Sequence, residues 1–95
     1  MNAYQKAVDS LIDDYLWDIT TKVDHGYLIF KFNTAESVAM IKHIVSIYGY
    51  ETVRLALKMY EANGFSKRDA FEQLILKYEG CTIEEYSHKI KYGKK

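Results

Sequence analysis

The stretch WDITTKVDHGYLIFKFN, Trp17 to Asn33, decides how this chain folds. Before it and after it, apolar residues recur at helical spacing; inside it they alternate. Trp17, Ile19, Thr21 and Val23 fall on one side, and Asp18, Thr20 and Lys22 on the other. β-Branched residues dominate the run, which suits a pleated, half-buried surface. Asp24, His25 and Gly26 carry turn chemistry, because glycine takes a positive φ without steric cost. Leu28, Phe30 and Phe32 then alternate against Tyr27, Ile29 and Lys31. The pattern predicts a β-hairpin with strands over Trp17 to Val23 and Tyr27 to Asn33. A lone hairpin is marginal in water, so the Phe30/Phe32 face is expected to lie under the surrounding helices.

Upstream, Asn2 and Gln5 read as a capping box. Tyr4, Val8, Leu11 and Tyr15, flanked by Ala7 and Ile12, make one face of a helix from about Ala3 to about Tyr15. Downstream, everything reads as helix. Asn33 with Glu36 opens a second one, whose broad apolar surface (Val38, Met40, Ile41, Ile44, Val45) marks it as the most buried. Gly49, Gly64 and Gly80 each stand just past an apolar-periodic run and stop successive helices. The third helix is expected over about Glu51 to Asn63. Ser66 caps the fourth, and Thr82 with Glu85 opens the fifth. The expected fold is α+β and mostly helical: a hairpin after helix 1, packed against a bundle of four further helices. A single compact domain would cover residues 1–93, with 94–95 as a basic tail.

Bulk properties exclude several functions. Ninety-five residues make one domain. The lone cysteine, Cys81, rules out an internal disulfide framework and a multi-cysteine zinc site. The apolar runs are too short to span a bilayer, so no membrane partner is expected. The N-terminal MNAYQKAVDS lacks the pattern of a secretory signal, which makes the cytoplasm the expected compartment. Net formal charge is zero, a poor footprint for nucleic acid, whose binding depends on neutralising several phosphates together. No histidine pair has metal-ligand spacing, the glycines are isolated, and Cys81 reads as a small packed thiol. Neither catalytic residues, metal ligands nor a cofactor are therefore expected, and the chain is read as no enzyme.

Two surfaces remain as candidates. EANGFSKRDAFEQL, Glu61 to Leu74, has the look of a helix-turn-helix joint. Gly64 would end helix 3, Phe65 would staple against Ala70, and Ser66 would cap helix 4. Lys67 and Arg68 would then be exposed in its first turn, where cations oppose the helix dipole. The turn, over Tyr60 to Tyr78, also resembles the helix–helix joint of ribbon-helix-helix repressors. Those repressors need a strand before the first of the two helices, where this chain has helix and turn, so no residue is carried across. As a DNA reader the joint would use Ser66, Lys67, Arg68, Gln73 and Lys77, but Asp69, Glu72 and Glu79 offset its bases.

The other candidate is acidic. Asp9, Asp13, Asp14 and Asp18 pair at helical spacing near Tyr15 and Trp17. Asp13 and Asp14 would stand at the negative end of helix 1, where local stability does not ask for them. The acids read either as a solvated face with lysines folding over it from elsewhere in the chain or as a stripe for a basic protein partner, and nine tyrosines fit binding surfaces better than an active site. The expected function is a non-enzymatic protein-binding regulator or inhibitor, of the kind phages and mobile elements encode. Its target could itself be a nucleic-acid-binding protein; the alternative is a DNA-binding transcriptional regulator. An open hairpin edge would also permit a homodimer.

Overall fold

The computed structural model describes residues 2–93, and the expected basic tail at 94–95 lies outside them. Among the described residues the order is α1 (Ala3–Thr20), β1 (Thr21–Asp24), β2 (Tyr27–Phe30), α2 (Thr34–Tyr48), α3 (Tyr50–Ala62), α4 (Lys67–Glu79) and α5 (Ile83–Tyr92). The fold is α+β and mostly helical, with one antiparallel hairpin after α1. Asn2/Gln5, Asn33/Glu36 and Thr82/Glu85 all close reciprocal capping boxes. α2 and α4 share the centre, each packing on α1, α3 and α5. Met40, Ile41 and Ile44 from α2 and Phe71, Leu74 and Ile75 from α4 belong to one buried cluster.

Helix 1 runs five residues further than its expected end at Tyr15. Trp17 to Thr20 is its last turn, not the start of a strand. Burial overrides the local β preference of Ile19 and Thr20. Val8, Ile12, Tyr15 and Ile19 continue one helical stripe into the core, and Ile19 is fully buried. Thr21 ends the helix by donating both its N–H and its hydroxyl to the Trp17 carbonyl. The exit is then tied to α2 by a buried relay: Thr20 Oγ1 donates to Ser37 Oγ at 3.0 Å, and Ser37 Oγ donates to the Asn33 carbonyl at 3.1 Å.

The strands pair Thr21 with Phe30, Lys22 with Ile29, Val23 with Leu28 and Asp24 with Tyr27. The two-residue loop holds His25 at φ 52° and Gly26 at φ 83°. Positive φ at both central residues is the requirement of a type I′ turn, whose twist matches the strands. Gly26→Ala should therefore cost the hairpin about 1–2 kcal/mol. The readout is local: the Lys22 and Ile29 amides should exchange roughly tenfold faster while the melting temperature holds, since the helical core does not contain the turn. Unchanged exchange there would contradict the assigned turn geometry.

The expected cover over the hairpin does not form. Phe32 is buried, but it lies beyond β2, where it and Lys31 donate their N–H groups back to the Thr20 carbonyl. Every residue of β2 is exposed, and so is β1 after Thr21. The hairpin stands out from the bundle with both faces in solvent.

Candidate functional site

Alternation sorts the hairpin into two unlike faces. Val23, Leu28 and Phe30 share one, which carries no charge. Lys22, Asp24, Tyr27 and Ile29 share the other. The uncharged face continues onto α1, because Trp17 meets Phe30 edge-on with ring centroids 6.3 Å apart. Trp17, Val23, Tyr27 and Phe30 are 60–75% exposed. At the roughly 150–250 Å² an aromatic side chain presents, Trp17 and Phe30 leave on the order of 200–300 Å² of ring surface in water on the uncharged face. With Val23 and Leu28 added, the patch reaches the few hundred Å² of the largest apolar patch on a typical monomer, which is often a functional surface.

Acids border this patch on the α1 side. Asp13 stands one turn before Trp17, and the two line an open hollow of about 430 Å³ with Leu16, Phe30 and Phe32. Asp14 is exposed on the next flank of the same outward surface. An apolar hollow with a carboxylate at its lip fits a long basic side chain: the stem packs on rings and the head meets the acid.

The four acids expected as one stripe do not form one. Asp9 and Asp18 are nine positions apart, half a rotation of the helix at roughly 100° per residue. Asp9 is half-buried beside a separate hollow with Tyr4, Lys42 and Ser46. Asp18 is half-buried on the opposite flank. Only Asp13, Asp14 and Trp17 share the solvent face.

Tyr15 also departs from the expected contact set. It is 1% exposed, and its hydroxyl donates to the Glu61 carboxylate on α3. Lys67 Nζ lies 3.3 Å from Glu61 and 4.7 Å over the Tyr15 ring. Burial, then the bond to Glu61, push the Tyr15 hydroxyl far above its ordinary range. Burial pushes the Glu61 carboxyl up, but the Tyr15 hydroxyl and Lys67 outweigh it and hold it below its ordinary value. Tyr15 is a tie between α1 and α3 rather than a surface for a partner.

The joint at Gly64 closes as a Schellman motif. Phe65 N–H donates to the Tyr60 carbonyl at 3.1 Å, and Gly64 N–H to the Glu61 carbonyl at 3.0 Å, with Gly64 at φ 97°. Phe65 lays its ring edge-on against Tyr60 at 5.8 Å, back onto α3, where a staple to Ala70 had been expected. Ser66 accepts the Asp69 N–H as N-cap. Lys67 is spent on Glu61. Arg68 is not the exposed base expected: its side chain is 12% exposed, 3.9 Å from Glu84, and its Nη1 is buried without a hydrogen-bond partner. Gln73 is half-buried, and Lys77 is exposed, 5.7 Å over the Tyr78 ring. The five residues do not present a common donor surface.

Cys81 is half-buried and free, and burial pushes its thiol up, away from the thiolate a nucleophile needs. Among the described residues no three histidine, cysteine or acidic side chains gather as metal ligands. Nor, among those residues, is any helix long and apolar enough to cross a membrane. Compared with known proteins, the chain matches no family model, no curated protein and no solved structure at a significant level.

Proposed function

We propose that this chain is a non-enzymatic, protein-binding regulator or inhibitor. It captures a basic partner on the surface formed by Trp17, Val23, Leu28 and Phe30, bordered by Asp13 and Asp14. One observation carries the reading. A hairpin that is marginal by itself holds its largest apolar side chains in water. The core does not need them there, and a partner that covers them supplies the reason. The rim acids steer a basic surface toward the patch and fix its register. The free Cys81 thiol suits a reducing compartment such as the cytoplasm, and the small size suits the regulators of mobile elements.

Reversing both rim acids tests the steering. The double variant Asp13→Lys, Asp14→Lys should bind the captured partner on the order of tenfold more weakly at low salt, mainly through a slower on-rate. The loss should shrink as salt is raised. Affinity that does not change at low salt would take the acids out of the account. A duplex-DNA titration run beside it addresses the other reading: tight, salt-steep binding abolished by Lys67→Glu would put the Gly64 joint first.

A further inference from the structure

We propose that two copies of the chain pair through the outer edge of β2, giving one four-stranded antiparallel sheet in the order β1-β2-β2-β1. The hydrogen-bond alternation of the hairpin fixes which backbone groups are free. Lys31 N–H donates to the Thr20 carbonyl at 2.7 Å. Counting on by twos, Lys22/Ile29 and Asp24/Tyr27 also bond inward across the ladder. Thr21 and Val23 on β1, and Leu28 and Phe30 on β2, therefore turn their N–H and C=O groups outward. An exposed edge of this kind is a template for another strand.

The two edges are not equivalent. On β1, Thr21 N–H is already bonded to the Trp17 carbonyl. A two-fold pairing of Thr21 with Val23 of the second copy would set Lys22 against Lys22, and like charges directly opposite are destabilising. On β2 the matching two-fold register sets Leu28 against Phe30 of the second copy, and Phe30 against its Leu28. Those two pairs exchange four backbone hydrogen bonds. Ile29 then faces Ile29 at the axis, and Tyr27 faces Lys31, a cation against a ring. Opposed residues lie on the same face throughout, and no like charges meet.

Three or more strands with an apolar face are what a hairpin needs for independent stability, and pairing provides four. The pairing uses the edge and leaves the uncharged face open. Val23, Leu28 and Phe30 of both copies would then lie on one side of a single sheet, with a Trp17 at each end. The inference does not depend on the partner, because purified chain alone tests it.

The test is a cysteine scan in a Cys81→Ser background, combined with sedimentation velocity across a dilution series. Side chains opposed in a non-hydrogen-bonded pair come within disulfide reach, so Ile29→Cys should cross-link to completion under mild oxidation. Val23→Cys, on the other edge, should remain uncrosslinked. The unmodified chain should sediment at twice the chain mass, and Ile29→Lys, which sets like charges at the axis, as a monomer with its helical content intact. An unmodified chain that stays monomeric at every concentration overturns the proposal. So does cross-linking through Val23→Cys in place of Ile29→Cys.

Discussion

The double variant Trp17→Ala, Phe30→Ala should lose partner binding by on the order of a hundredfold or more while its thermal unfolding stays close to that of the parent. Both rings are largely in solvent and touch each other, so truncating them removes little that the free fold had buried. Surface changes of this kind usually move stability by about 0.5 kcal/mol or less. In a complex the same rings would be central and desolvated, and aromatic anchors in that position cost about 2–4 kcal/mol each on truncation. The separation of the two effects is the diagnostic feature. Calorimetric titration for binding and a melting curve for stability give both numbers from one preparation. If stability falls by several kcal/mol, Trp17 and Phe30 belong to the fold. If neither number moves, the patch is idle.

Tyr15→Phe should act in the opposite sense, on stability and not on binding. It deletes the hydroxyl that donates to Glu61 from a fully buried ring. A hydrogen bond to a charged group is worth about 1.5–3 kcal/mol, so the melting temperature should drop by on the order of 10 °C in a domain of this size. The effect should also depend on pH. Glu61 is held below its ordinary value of 4.5 in the fold. Its contribution is therefore complete above the unfolded value and is lost as the pH falls through the lower folded one. Denaturant unfolding near pH 7 should separate the variant from the parent, and the gap should narrow near pH 3. An equal gap at both would mean that the Glu61 charge plays no part.

Capping chemistry made much of the fold legible in the sequence. Asn2, Asn33 and Thr82 each sit three residues before a Gln or Glu, and each closes the box that this spacing implies. These signals are local, so short-range reasoning reaches them. The end of α1 was harder. Ile19, Thr20 and Thr21 fit a strand by residue type and a helix by the spacing of buried positions, and the core decided for the helix by burying Ile19. The fate of the hairpin was not legible at all. Alternation shows that a strand has two faces, not whether anything covers them. Tyr15 and Arg68 were misjudged for a related reason. Their partners, Glu61 and Glu84, lie far along the chain, and only packing brings them together. Trp17 and Asp13 stand out in the sequence as candidates for the proposed contact; Val23, Leu28 and Phe30 do not, since apolar residues on a strand normally point to a core.

The sole tryptophan of the chain, Trp17, sits in the middle of the proposed contact, which makes its own emission the most direct probe. In the free protein the indole is 60% exposed. Titration with the captured partner should shift its emission to shorter wavelength and shield it from acrylamide, both saturating at the binding stoichiometry. Emission and quenching that stay constant while a mass-based method records the complex would place the contact elsewhere on the molecule.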